Sequence, residues 1–364
     1  MKDEKKAPKL RFKGFTDDWE QCKLGDVAKI NSGKDYKGLQ PGKIPVYGTG
    51  GYMLSVNDKL SDIDAIGIGR KGTIDKPYYL NAPFWTVDTL FYVTPRGTVD
   101  ISFMFPLFKN INWKRYDEST GVPSLSKNTI KKIRVSFPQN NEQVKIGDLF
   151  QKITQIITLH EEKKRQLERL KSALMQKMFA DKSGYPPVRF EGFSNEWEHC
   201  KLGDVADITT GSRNHQDSVT DGKYPFFVRS DKVERLNEYD FDTKAILVPG
   251  DGRIGEIFHY YNGKFALHQR VYKVDNFNGI NELFLLGLFK YSFKEHALRL
   301  NAQGTVPSLR LPMFTNWSIS VPMITEQERI GGFFQKLERT ISLYDHKLEL
   351  LKKVKRSMLQ AMFI

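Results

Sequence analysis

The strongest constraint on this chain is that its plan is written twice. Residues 10–33, LRFKGFTDDWEQCKLGDVAKINSG, align with residues 188–211, VRFEGFSNEWEHCKLGDVADITTG, at an offset of 178, and 15 of the 24 positions are identical. A second match follows at an offset of 184. It joins Val122-Pro123-Ser124-Leu125 to Val306-Pro307-Ser308-Leu309, Glu142-Gln143 to Glu326-Gln327, and Met178-Phe179 to Met362-Phe363. The offsets differ by six residues, a net insertion in the second copy. A chain of 364 residues that repeats at this period reads as one fold used twice.

Each copy has a shared opening, a variable middle and a shared tail. The middles, about 34–118 and 212–302, keep only an apolar skeleton: Lys43-Ile44-Pro45-Val46-Tyr47 faces Lys223-Tyr224-Pro225-Phe226-Phe227, and Ala65-Ile66 faces Ala245-Ile246. Short apolar runs broken by Gly, Asn, Asp and Pro predict strand-rich globular structure. One fold with two different surfaces follows.

The tails predict long helices. From Glu142 to Phe179 there is no proline, and the only glycine is Gly147. Apolar positions at Ile146, Leu149, Ile153, Ile156, Leu167, Leu170 and Leu174 step 3-4-3-4, the spacing of a coiled-coil seam, with His160 and Lys163 interrupting it. The second copy repeats the register at Ile330, Phe333, Leu337, Thr340, Leu351, Val354 and Met358, with Tyr344 and Lys347 in the interruption. Each helix would be roughly 55 Å long and outrun its own domain. Helix one therefore projects, the linker Asp181–Pro187 starts the second copy at its far end, and helix two runs back antiparallel. The expected architecture is α+β: two globular domains separated by two long antiparallel coiled-coil helices, with a pseudo-twofold internal repeat. The boundaries read 1–140 for the first domain, 141–181 for helix one, 182–187 for the linker, 188–324 for the second domain and 325–364 for helix two.

Charge narrows the partner. The formal net charge is +13, which draws polyanions, and nucleic acid is the expected one. No apolar run approaches the ~20 residues that span a bilayer. Met1–Lys6 has no apolar stretch behind it, as a secretory signal would require, and two cysteines are too few for a disulfide scaffold. A cytoplasmic protein is expected.

Two strings that look chemical are set aside. Gly67-Ile68-Gly69-Arg70-Lys71-Gly72 matches GxGxxG, but Pro77 sits where the phosphate-binding helix should begin. Asn81-Ala82-Pro83-Phe84 resembles the Asn-Pro-Pro-Tyr/Phe loop of adenine methyltransferases but lacks the first proline, and no S-adenosylmethionine glycine loop accompanies it. The seven histidines and two cysteines have no metal-ligand spacing, and no Walker loop is present. No catalytic residue, metal or cofactor is expected on this chain.

Reading DNA requires Arg, Lys, Asn or Gln for base edges and hydroxyls, cations or glycine-rich turns for phosphates. In copy one the candidates are Ser32, Lys34, Tyr36, Thr49, Arg70, Lys71 and Thr120. In copy two they are Ser212, Arg213, Asn214, Arg229, Ser230, Arg253, His268, Gln269, Arg270 and Thr305.

The paired Trp-Glu-x-Cys-Lys-Leu-Gly-Asp-Val-Ala openings, the Val-Pro-Ser-Leu segments, the Glu-Gln-x-x-Ile-Gly helix starts and the Met-Phe helix ends together resemble the specificity subunit of type I restriction–modification systems. The resemblance covers essentially the whole chain. It implies that each middle is a target-recognition domain reading one half of a bipartite, asymmetric site in double-stranded DNA. The helices would set the unread spacer and dock two methylation subunits. S-adenosylmethionine, ATP and Mg would belong to partners, the methylation subunits and possibly restriction subunits, while this chain supplies address and not chemistry. A stand-alone DNA-binding regulator is the alternative, distinguished by tight specific binding of the purified chain alone. A methyltransferase in its own right would bind S-adenosylmethionine without a partner.

Overall fold

The computed structural model describes residues 7–180, 183–301 and 307–363. It divides into unit 1, Met1–Glu162 with His346–Ile364, and unit 2, Lys163–Asp345, so the division runs through both long helices.

Unit 1 begins with β1 (Glu20–Lys23), the one-turn helix α1 (Leu24–Val27) and β2 (Ala28–Ser32). Asp26 fixes that turn: its carboxylate accepts the Lys23 backbone N–H at 3.0 Å, a capping contact that explains the repeated Lys-Leu-Gly-Asp. Then come β3 (Pro41–Gly48), β4 (Gly51–Val56), β5 (Ala65–Gly69), β6 (Tyr78–Leu80), β7 (Trp85–Thr86) and β8 (Leu90–Pro95). Helix α2 (Ile101–Asn110), α3 (Lys127–Lys132) and β9 (Arg134–Phe137) lead to the first long helix, α4 (Asn140–Lys177). The sheets are ordered β2-β8-β5-β6 and β4-β3-β7, with β1 paired to β9.

Unit 2 repeats this plan as β10 (Glu198–Lys201), α5 (Leu202–Val205), β11 (Asp207–Thr210), β12 (Tyr224–Phe227), β13 (Val233–Leu236), β14 (Phe241–Pro249), β15 (His259–Leu267) and β16 (Val271–Asp275). It continues through α6 (Glu282–Leu288), α7 (Lys294–Leu300), α8 (Leu311–Thr315), β17 (Ser318–Val321) and the second long helix, α9 (Ile324–Met362). Its main sheet is a single one, β11-β16-β14-β15-β12-β13. The unbroken β15 does the work of both β6 and β7. Its end pairs parallel with β12 (Phe227 with Leu267) as β7 pairs parallel with β3 (Tyr47 with Thr86). In unit 1 the strand is interrupted by Asn81-Ala82-Pro83-Phe84, where Pro83 has no N–H to give a ladder. The methyltransferase-like string is thus a strand break.

Both cores are built from equivalent aromatics. In unit 1 Trp19 meets Phe103 edge-on at 5.7 Å and Phe363 at 6.2 Å. In unit 2 Trp197 meets Phe284 at 5.5 Å, and Phe284 meets Phe179 at 5.5 Å. The Met-Phe end of each long helix is therefore buried in the domain of the other copy: Met362 and Phe363 in unit 1, Met178 and Phe179 in unit 2. Backbone bonds repeat the exchange, Leu10 N–H to the Ala361 carbonyl and Val188 N–H to the Lys177 carbonyl, both at 2.9 Å.

The helix starts dock on their own domains. Buried Glu142 takes a two-pronged contact from Arg11 (2.9 and 2.7 Å), and buried Glu326 takes the same from Arg189 (2.9 and 2.6 Å). Gln143 accepts the Asp100 N–H at 2.9 Å and donates to the Pro138 carbonyl; Gln327 accepts the Asn281 N–H at 2.7 Å and donates to the Pro322 carbonyl. A side chain at Gly147 would collide with Ser102, and one at Gly331 with the Phe284 backbone. The Glu-Gln-x-x-Ile-Gly string is thus the joint between helix and domain.

Within each unit the two long helices run antiparallel. In unit 1 Lys355 Nζ donates to Thr154 Oγ1 at 2.8 Å and Lys352 pairs with Glu161. In unit 2 Lys164 pairs with Asp345 at 2.6 Å and Lys171 with Glu338 at 2.7 Å. As numbers rise along α4 they fall along α9.

The seam itself corrects the expected phase. Ile146, Ile153, Leu167 and Leu174 on α4, and Ile330, Leu337, Leu351 and Met358 on α9, are buried or half-buried. Leu149 and Phe333 are half-buried against the domain cores. Leu170 and Val354, however, are 47% and 41% exposed. The alternate positions lie one residue on, at Phe150, Ile157, Lys164 and Lys171, and at Phe334, Ile341, Leu348 and Lys355. Adjacent apolar pairs such as Leu149-Phe150 and Ile156-Ile157 leave the phase open in sequence. Lysines take inward positions because their stems cover apolar surface while the ammonium finds a partner.

Candidate nucleic-acid interface

The loop between β7 and β8 is a hub. Gly33 N–H donates to the Leu90 carbonyl (3.0 Å), Lys34 N–H to Thr86 (2.9 Å) and Arg70 N–H to Thr89 (2.8 Å), while Val87 N–H donates to Tyr47 (3.0 Å). The turn between β15 and β16 reproduces it. Gly211 N–H donates to the Val271 carbonyl (3.3 Å), Arg213 N–H to Leu267 (3.2 Å) and Gly250 N–H to Arg270 (2.7 Å), while His268 N–H donates to Phe227 (3.0 Å). The glycines that precede Lys34 and Ser212-Arg213 are required by close approach: a Cβ on Gly33 would run into the Thr86 and Val87 carbonyl oxygens, and one on Gly211 into that of Leu267. One backbone frame thus gathers three chain segments twice and leaves the turn residues to differ, Val87-Asp88-Thr89 in one copy and His268-Gln269-Arg270 in the other.

In unit 1 the frame brings Ser32, Arg70 and Lys71 to one open cleft of about 450 Å³, whose other wall is Ser124, Ser126 and Lys127. The Val-Pro-Ser-Leu segment makes that wall: Gly72 N–H donates to the Pro123 carbonyl and Leu125 N–H to the Arg70 carbonyl. Arg70 and Lys71 are exposed, and among the described residues neither pairs with a carboxylate. Lys34 is likewise exposed, its carbonyl held by the Trp85 indole N–H at 3.0 Å. Thr49 sits in the β3–β4 turn and Thr120 is exposed beside the Val-Pro-Ser-Leu segment, while Tyr36 is half-buried against the Val46 cluster.

Unit 2 holds its cations. Arg213 donates to Asp240 at 2.8 Å and to Glu238 at 2.9 Å, and Arg229 to Asp251 at 3.1 Å. Arg253 donates to Glu256 at 3.0 Å and Asp231 at 2.9 Å. Asn214 Oδ1 accepts from Gln269 at 2.6 Å, and the Ser230 hydroxyl donates to the Lys232 carbonyl. Ser212, Gln269 and Arg270 are exposed. His268 is a correction. It is 4% exposed, its Nδ1 accepts the Arg270 N–H at 2.9 Å, and burial holds the imidazole below its ordinary pKa, so its side chain braces the turn and is not presented to solvent. Thr305 lies outside the described residues.

Sequence reasoning missed the turn residues Asp88 and Thr89, and with them Ser126 and Lys127. Aligning the middles on Tyr47 and Phe227 brings the unit 1 turn within one residue of His268-Gln269-Arg270, and only the parallel strand pairing of Thr86 and Leu267 fixes the register. The GxGxxG string runs through β5 into a turn, with no helix after it. Cys22 and Cys200 are half-buried and free; burial pushes the Cys22 thiol up to about 11. No cluster of metal-ligating side chains occurs among the described residues, and none of their helices is long and apolar enough to cross a membrane.

Comparison with known proteins gives a consistent result. A stretch of this chain is 28% identical over 169 residues to the specificity subunit of the type I restriction enzyme EcoDI from Escherichia coli, covering 45% of this chain and 37% of that protein. The chain thus spans well under half the length of that relative. It is 23% identical over 317 residues to the MjaIX specificity subunit of Methanocaldococcus jannaschii, covering 73% and 69% of the two chains. The fold superposes on the S subunit of a type I restriction–modification system from M. genitalium with a TM-score of 0.77 at 15% identity, over 98% of this chain and 99% of that one. The family model for the type I restriction modification DNA specificity domain matches residues 16–169 and again residues 194–353, one match per copy, and the chain belongs to that family.

Proposed function

We propose that this chain is the DNA-recognition component of a type I restriction–modification complex, each unit reading one half of a bipartite, asymmetric site in double-stranded DNA. The reading rests on one observation: two backbone frames with corresponding hydrogen bonds present different side chains. A shared frame keeps the approach to the duplex the same, and altered side chains change the bases accepted. In this reading Lys34, Arg70, Lys71 and Lys127 meet phosphates or guanine edges in one half-site. Arg213, Arg229, Arg253, Asn214, Gln269 and Arg270 serve the other.

The long helices set the spacer and dock two methylation subunits. Leu159 and its repeat equivalent Leu343 are exposed, as are Leu170 and Val354, apolar positions that a partner helix would cover. Methyl transfer and any cleavage belong to those partners, with their S-adenosylmethionine, ATP and Mg.

Exchanging residues 212–302 for the middle of another such protein, followed by methylome sequencing with the methylation partner, tests the assignment. One half of the methylated sequence should change and the other persist. A change in both halves, or in neither, would overturn it. Adding one heptad to both helices should lengthen the spacer and keep both half-sites.

A further inference from the structure

In the β3–β4 hairpin of unit 1, β4 opens with Tyr52, 63% exposed, and Met53, 48% exposed, just after the turn. Glycine surrounds them: Gly48, Gly50 and Gly51 leave the end narrow. The end is anchored against the hub. Met53 Sδ fills the space that a side chain at Gly48 would need, beside Val87, and Tyr52 meets Tyr47 edge-on at 6.3 Å. Tyr47 in turn accepts the Val87 N–H, in the same loop that holds the Lys34 and Arg70 backbones. The corresponding connection in unit 2, between β12 and β13, carries Arg229, Ser230, Asp231 and Lys232 instead. One copy therefore offers a thioether and a phenol ring where the other offers charge.

We propose that Tyr52 and Met53 make apolar contact with thymine C5-methyl groups in the half-site that unit 1 reads. This rests on the DNA-recognition reading above. The thymine methyl is the apolar group that base pairs display in the major groove, and a flexible, polarisable thioether on a rigid hairpin adapts to it. Met53 lies against Gly48 and Val87, in the loop whose Thr89 carbonyl accepts the Arg70 N–H, so hairpin and cationic cleft are tied to one backbone hub.

The test uses the full chain with its methylation partner and duplexes carrying the methylated site, with deoxyuridine replacing each thymine of the unit 1 half-site in turn. Removing one contacted methyl should weaken wild-type binding roughly 4-fold. Tyr52→Ala and Met53→Ala should weaken binding to the thymine duplex by a similar factor and lose the response to deoxyuridine, while Met53→Leu restores it. Both side chains are exposed, so folding is expected to survive; a thermal melt checks it. The proposal falls if deoxyuridine is tolerated throughout, if the half-site holds no thymine, or if the alanine variants sense deoxyuridine as wild type does. It also falls if they lose only the methylation subunit. Failure of the recognition reading itself would appear separately, as Lys71→Ala leaving DNA affinity untouched.

Discussion

The two hub turns hold their neighbours with corresponding hydrogen bonds, yet three arginines around the unit 2 turn are tethered, although Arg270 on the turn itself is exposed, while the cations around the unit 1 turn are not. In unit 1 Lys34, Arg70 and Lys71 reach solvent with no carboxylate partner among the described residues. In unit 2 Arg213, Arg229 and Arg253 are each fixed by one or two carboxylates of their own unit. Free cations on flexible stems serve electrostatic attraction, whereas a guanidinium held in a fork has its remaining N–H groups already aimed. A duplicated fold has thus diverged in how rigidly it presents charge, while the frame beneath has stayed the same.

The frame is the largest effect to test. Arg11→Ala and Arg189→Ala each leave a buried carboxylate without its counter-charge, and each should cost about 3–5 kcal/mol in urea unfolding. Similar costs would support a common frame; a loss confined to one variant would break the comparison. Next comes Asp240→Ala. It leaves Arg213 held by Glu238 alone and strips the Leu267 N–H of its 3.1 Å acceptor, so a loss of about 1–3 kcal/mol is expected, seen as faster hydrogen exchange in the β15–β16 turn. Unit 1 should show no such sensitivity, because among the described residues Lys34 has no carboxylate partner.

DNA affinity sharpens the contrast further. Lys71→Ala should weaken binding to specific and non-specific duplexes alike and lower the salt slope by about 0.9. Arg213→Ala should relax discrimination in the unit 2 half-site. Equal behaviour of the two variants would erase the distinction between loose and held cations.

The smallest effect concerns pH. Burial lowers the His268 and His296 imidazoles from the usual 6.5, so folded unit 2 takes up their protons less readily than the unfolded chain. As pH falls below 6.5 the unfolded chain binds protons that the folded unit refuses, and stability is lost towards acid. Hydrogen exchange at pH 7.5 and 5.5, corrected for intrinsic rates, should show unit 2 loosening at the lower pH, and less so in His268→Gln. No reduction of the acid loss in that variant would remove His268 from the account.

Much of this architecture is legible in the linear chain because its determinants are local or periodic. Offsets of 178 and 184 reveal the duplication, an unbroken proline-free run gives each helix, and Lys-Leu-Gly-Asp carries its own capping acid at i+3. Opposed direction of the helices follows from connectivity. Tertiary packing decided the rest. Leu149-Phe150 and Ile156-Ile157 can each put either residue inward, and only contact with the other helix and the domain selects Phe150 and Ile157. Arginine looks the same in sequence whether it faces solvent or two carboxylates, so the bonds of Arg213 to Asp240 and Glu238, 27 and 25 residues away, had to be seen. His268 looks like a ligand until the turn closes over it. Helix period and capping are written into neighbouring residues; seam phase, charge pairing and burial depend on partners distant in the chain.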